Sequence, residues 1–221
     1  MNEIVRSKRA RNIGIVILAA GASTRMGTAK QLLKIEGTSL IRRAAEHALD
    51  SLCGPIVVVL GANAEQIAPE LNGLALETTV NHDWEIGISS SIHAGLNRLL
   101  AIHPEIEGVI LFLADQPNVT GTSLRKLATA HLQSGSALVA AAYSGQIGTP
   151  ALFLRCYFDE LLQTKGQGGA KQVLERHAKR VLSIDLPEAV IDLDTPQNLA
   201  DFVNRKNILD NHAAATISRN E

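Results

Sequence analysis

The chain has 221 residues, 46% of them hydrophobic and 19% charged, enough to bury the core of one α/β domain and too apolar for a disordered polymer. Its formal net charge of −1 gives no overall field that draws it to nucleic acid or anionic lipid, and aromatics at 3% are too few for a ladder of base-stacking platforms. The two cysteines, Cys53 and Cys156, lie far apart with no CxxC spacing, so they are expected as reduced core residues in a reducing, cytoplasmic setting.

Residues 1–12 carry Arg6, Lys8, Arg9 and Arg11 and read as a flexible basic arm. The apolar run 13–20 follows, and Ala20-Gly21-Ala22 imitates a signal-peptide cleavage site. The run has no polar alternation and feeds a glycine loop, so the reading taken is a strand buried on both faces. Next come a helix over 40–52 and a β-branched strand over 55–60. Asn63 is placed to cap a helix running to Leu71, and 74–80 alternates like a third strand. A helix over 89–100 sets Ile92, Leu96, Leu99 and Leu100 on one stripe. The strand 109–114 is the most apolar of all, and Thr120 caps a helix to Leu132. Strands are expected over 137–143 and 149–154, helical patches over 158–162 and 170–177, and strand pieces over 181–186 and 190–193. Thr195, with Pro196 in the first turn, opens a last helix to about Arg205. One domain over 13–206 and a polar tail over 207–221 result, with no run near the ~20 apolar residues that cross a bilayer.

Strands alternating with helices imply a mostly parallel sheet covered on both faces. Ligands of such sheets bind beyond the carboxyl ends of the strands, so the loops there matter most. The first reads Gly21-Ala-Ser-Thr-Arg25-Met-Gly27-Thr-Ala-Lys30. Its glycines let successive N–H groups turn toward one anion, and Arg25 and Lys30 add the charge that suits a triphosphate. Glycine and charge alone fit a plain strand-to-helix loop equally well. Walker A and GxGxxG spacings are both absent. In the second loop, Asp115 follows a wholly apolar strand and is placed to hold Mg²⁺, which takes one or two carboxylates and fills its sphere with phosphate and water. Position alone also allows a turn residue before Pro117. The third, Asp192-Leu-Asp194-Thr-Pro, offers Asp194 either as a second metal carboxylate or as the end of a strand. The fourth, 81–91, opens a helix with Gly87 and Ser89-Ser90-Ser91, which address a base or phosphate or only cap the helix. Trp84 reads as cleft wall, and His82 and His93 as bystanders. The seven histidines show no HExxH.

The string LAAGASTRMGTAK at 18–30 resembles the opening motif of the MobA-like nucleotidyltransferases. With NHDWEIGISSS at 81–91, LADQP at 113–117 and DLDTP at 192–196, the chain is similar, over about 13–205, to the molybdenum cofactor cytidylyltransferases. The resemblance implies a three-layer α/β/α, Rossmann-like nucleotidyltransferase fold and transfer of CMP from CTP to the terminal phosphate of molybdopterin. By it, Leu18, Ala19, Ala20, Gly21, Gly87 and Ser91 would contact the nucleotide, Arg25 and Lys30 its phosphates, and Asp115 and Asp194 would hold Mg²⁺, or Mn²⁺ in its place. Arg25, Lys30 and Asp115 would be the catalytic set. Ala19-Ala20-Gly21 is similar to the cytidylyl form, where guanylyl relatives carry Ala-Gly-Gly.

Two segments depart from that pattern. Gly148-Thr149-Pro150 stands where the family often has Gly-His-Pro, and Gln167 and Lys171 stand where it often has the acid and arginine of GDxGAR. By resemblance Thr149, Gln167 and Lys171 lie on the acceptor side. A sugar phosphate or other small phosphate acceptor therefore stays open, as does a non-catalytic carrier handing nucleotide or pterin to a partner. A molybdoenzyme or its maturation chaperone is the expected transient partner, with neither nucleic acid nor membrane.

Overall fold

A computed structural model describes residues 12–23, 28–190 and 197. Strand β1 (Ile13–Leu18) is buried at all six positions, because helices cover both faces of the sheet it centres. A hairpin follows, β2 (Lys34–Ile35) and β3 (Thr38–Ser39), turned by Glu36 and Gly37 at φ 53° and 82°, where glycine suits the second turn position. Helix α1 (Leu40–Asp50) buries Leu40, Ile41, Ala44, Ala45 and Ala48 along one stripe. Then come β4 (Ile56–Leu60), the single-turn α2 (Ala64–Ile67) and β5 (Glu77–Val80). Helix α3 (Ile88–Ile102) and β6 (Gly108–Leu113) complete the first half. The second half has α4 (Gly121–Ser134), β7 (Leu138–Tyr143), β8 (Gln146–Leu154), α5 (Phe158–Leu162), α6 (Gly169–Arg176) and β9 (Leu182–Asp185).

Seven strands lie in the order β5-β4-β1-β6-β8-β7-β9, all parallel except β8, which runs against both neighbours. The inside-outside alternation of β1 divides the core. Ile13, Ile15, Ile17 and Ala19 pack with α1 and α4, and Val16, Leu18 and Ala20 pack with α3, α5 and α6. Gly95 lets α3 press onto the sheet, since a Cβ there would stand 2.4 Å from Val16 Cγ1. The expected α/β architecture with a mostly parallel sheet and helices on both faces is the one observed. No helix among the described residues is long and apolar enough to cross a membrane.

Thr120 caps α4 as expected, in a reciprocal box with Ser123. Elsewhere the structure corrects the reading. Asn63 sits at φ 60° and its side chain makes no cap bond; asparagine tolerates the left-handed region, and here it serves as the turn out of β4. The helix expected to Leu71 tightens to a 3-10 turn after Ile67, because Pro69 has no N–H to give to the α-helical ladder. The third strand starts at Glu77, since Gly73 at φ 81° still holds Leu74 in a turn. Val190 ends a 3-10 turn opened by Pro187 instead of starting a strand piece, and the rest of that piece lies outside the described residues, as do Thr195 and Pro196. Cys53 packs half-buried against the core, but Cys156 is exposed, because Tyr157 and Phe158 take the buried positions of that turn.

Candidate active site

The chain runs from β1 outward to β4 and β5, then returns to β6 on the other side of β1. Connections therefore leave β1 and β6 in opposite directions, and a crevice opens between their carboxyl ends, where doubly wound sheets take ligands. Leu18 and Leu113 are register partners at those ends, so the loops after them are neighbours. A cleft of about 610 Å³ occupies the place. Leu18, Ala19, Ala20, Gly21, Lys30, Gly87, Ser91, Asp115 and Gln167 all line it.

The first loop has an asymmetric hydrogen-bond pattern. Gln31 Nε2 donates to the carbonyls of Ala19 and Gly21, both at 2.8 Å, and the Ala62 N–H donates to the Ala20 carbonyl at 3.0 Å. Three successive carbonyls are thus engaged by the protein. Among the described residues nothing accepts from the N–H groups of Ala20, Gly21 or Ala22. Donors without acceptors, at the wall of a cleft, suit an anion.

Lys30 opens a 3-10 turn, Lys30–Leu32, that carries its ammonium to the carboxylate of Asp115. Both side chains are mostly buried, at 18% and 16% exposure, so their attraction is far less screened than at a surface. The pair uses Asp115 Oδ2. Asp115 Oδ1 is buried and has no hydrogen-bond partner among the described residues. An orphaned, hard carboxylate oxygen beside an anion cradle is the donor Mg²⁺ or Mn²⁺ takes, with phosphate oxygens and water completing the sphere. The described residues hold no cluster of three or more His, Cys, Asp and Glu side chains. Arg25 and Asp194 lie outside the described residues.

The opposite wall is the start of α3. Gly87 adopts φ 129°, and a Cβ there would stand 2.6 Å from the carbonyl of Gly166, so only glycine lets the two loops meet. The Ser89 N–H donates to that carbonyl at 3.1 Å. Asn81 donates to Ser90 Oγ at 2.8 Å and Ser91 Oγ at 3.0 Å, fixing Ser91 at the cleft wall. Trp84 and Glu85 line the same wall, while His82 and His93 do not, His93 standing 3.5 Å from Thr164 Oγ1.

The acceptor-side residues separate. Gln167 lines the cleft from the loop between α5 and α6. Thr149 stands outside the lining and gives its carbonyl to Gln116 Nε2 at 3.1 Å, a buried amide that also bonds the Ala189 carbonyl at 2.9 Å. Lys171 is exposed, 3.7 Å from Glu175 one turn on. Sequence reasoning misses Gln31 and Asn81. Both act on atoms that only the fold brings near, and a polar residue directly after Lys30 was the one available signal.

Residues 15–181 match the MobA-like NTP transferase domain family. The molybdenum cofactor cytidylyltransferase of Escherichia coli is 25% identical over 195 residues, covering 88% of this chain and 95% of that protein. Nicotine blue oxidoreductase of Paenarthrobacter nicotinovorans is 38% identical over 117 residues, which span 52% of this chain and about half, 55%, of the relative. The crystal structure of Rv0371c from Mycobacterium tuberculosis in complex with manganese superposes with a TM-score of 0.73 at 25% identity, covering 87% of this chain and 98% of the other. The chain belongs to the MobA-like NTP transferase domain family.

Proposed function

We propose that this MobA-like NTP transferase moves CMP from CTP to the terminal phosphate of molybdopterin, forming molybdopterin cytosine dinucleotide and releasing pyrophosphate. The observation that carries the reading is the buried, unpartnered Oδ1 of Asp115 beside Lys30 at the crevice between β1 and β6. Similarity to the E. coli cytidylyltransferase along nearly its whole length supports the choice of nucleotide and acceptor, as does the Ala19-Ala20-Gly21 form of the loop.

In this reading the N–H groups of residues 20–22 and the cations Lys30 and Arg25 hold the β- and γ-phosphates, and Ser91 and Gly87 orient the base. Asp115, joined by Asp194, holds the divalent ion, which neutralises triphosphate charge when bound. An oxygen of the acceptor phosphate attacks the α-phosphorus in line. The bond from that phosphorus to the β-phosphate oxygen breaks, and pyrophosphate leaves with its charge met by Lys30 and Arg25. Such chemistry asks for positioning and charge neutralisation, so no activated serine or cysteine is required. Gln167 faces the acceptor, and the product passes to a molybdoenzyme or its maturation chaperone in the cytoplasm.

Pyrophosphate release tests the reading, with each of the four nucleoside triphosphates, Mg²⁺ or Mn²⁺, and Mo-molybdopterin. Release with CTP above the other three is expected. Silence with molybdopterin but turnover with a sugar phosphate would move the acceptor to that class. Nucleotide or pterin binding without turnover on any acceptor would leave a carrier.

A further inference from the structure

We infer that Gln31 is the residue that presets the phosphate loop, holding two of its carbonyls inward so that the loop meets a triphosphate with donors only. The inference rests on the nucleotidyltransferase reading of the same cleft. Gln31 is 3% exposed. Both hydrogens of its carboxamide are used, one for each of the Ala19 and Gly21 carbonyls, at 2.8 Å. Its Oε1 accepts from Ser23 Oγ at 3.3 Å, and Ser23 Oγ accepts from the Lys30 N–H at 3.1 Å. The amide therefore ties residues 19, 21 and 23 of the loop to the turn that carries Lys30.

The physical consequence is one of sign. A carbonyl presents partial negative charge, and one turned toward the cleft would repel a phosphate that the adjacent N–H groups attract. With Ala20 O already held by the Ala62 N–H, Gln31 supplies the two bonds that complete the inward set. A primary amide meets this demand because it offers two donors in one plane and an acceptor behind them. The 3-10 turn explains how neighbours divide the work: at three residues per turn, successive side chains diverge by about 120°, so Lys30 reaches Asp115 while Gln31, at the cleft lining, turns its carboxamide to the carbonyls of Ala19 and Gly21. Gln31 touches neither substrate nor metal in this scheme. It acts through the loop, as a positioning residue.

Two variants test it, Gln31→Met, which keeps the length and loses every donor, and Gln31→Glu. CTP affinity with Mg²⁺ is measured by calorimetry, KM and kcat by pyrophosphate release, and folding by thermal melting. Gln31→Met should raise KM and Kd for CTP roughly tenfold or more, as two buried carbonyls lose their donors, while KM for the acceptor stays within about twofold. In Gln31→Glu the ionised carboxylate faces two carbonyls and cannot donate, whereas the protonated acid can donate to one of them. CTP affinity relative to wild type should therefore improve as the pH is lowered from about 8 to about 6, a dependence that a filler role would not produce. Wild-type CTP affinity in Gln31→Met overturns the inference. So does a loss shared equally by nucleotide and acceptor that tracks a fallen melting temperature, or a Gln31→Glu profile parallel to wild type. A wild-type protein that binds no nucleoside triphosphate fails the functional reading itself, and the inference falls with it.

Discussion

The two walls of the cleft are built differently. The wall at the ends of β1 and β6 rests on strands buried on both faces, and its loop is fixed by bonds from Gln31 and Ala62. The wall that carries Gln167 rests on a loop between α5, five residues long, and α6, eight residues long. The first is tied down by these bonds beside the Lys30–Asp115 pair. The second is held by the meeting of Gly166 with Gly87 and Ser89, by Gln172, whose carboxamide bonds the main chain of Lys165, and by Thr164, whose hydroxyl donates to the Leu161 carbonyl. Glu160 bonds His177 and Arg176, which hold its carboxyl below the ordinary range and tie α5 to α6. Under the proposed function, the first wall would take the nucleotide and the loop of Gln167 would face the acceptor, so the two roles would fall on separate parts of the fold.

The sharpest way to break the contrast is at Asp115. Asp115→Ala should cut turnover by roughly 10²–10³ with the fold retained, and Lys30→Ala should do nearly as much, both read by pyrophosphate release beside a melting curve. Near-normal turnover in either would remove the first wall from the chemistry. Gly87→Ala comes next. Its Cβ would collide with Gly166 at 2.6 Å in a backbone conformation at φ 129°, a cost on the order of 1–3 kcal/mol. Melting temperature and both KM values should change together, because the start of α3 and the loop that carries Gln167 meet there.

Gln167→Ala sharpens the comparison more gently. KM for the acceptor should rise about tenfold while KM for CTP holds, consistent with loss of polar substrate contacts. Lys171→Ala should change either by less than about twofold, since that lysine is exposed and outside the cleft. The smallest effect concerns stability. Burial of His47 in α1, with Arg43 beside it, lowers its pKa from 6.5. The unfolded chain then binds a proton that the folded one resists, so this contribution is fully present above about pH 6.5 and is lost as the pH falls below it. His47→Gln should flatten the acid limb of a plot of melting temperature against pH between about 7 and 5.

Much of this was legible in the sequence, for identifiable reasons. A strand covered on both faces must be apolar throughout, and that exposed β1, β4 and β6 and made Asp115 conspicuous at the end of the last. Capping chemistry is local, so Thr120 and α4 could be read directly. What resisted reading is non-local. The antiparallel course of β8 depends on its partners β6 and β7, which no window of sequence contains. The hairpin of β2 and β3 is four strand residues long, too short for periodicity, although Glu36-Gly37 is a turn signal. Gln31 was hidden because its partners are main-chain carbonyls ten and twelve residues back, and Asn81 because its partners begin the next helix. The charged side chains Lys30 and Asp115 at the cleft wall could be picked out from the sequence. Those that shape the backbone around them could not.

Manganese titration followed by electron paramagnetic resonance, with and without CTP, tests the first wall directly. Wild-type protein should take up about one Mn²⁺ per chain in a CTP-dependent manner, and Asp115→Asn should weaken that uptake at least about tenfold. Equal, CTP-dependent uptake by both proteins would contradict the assignment of Asp115 as the metal carboxylate at the crevice between β1 and β6.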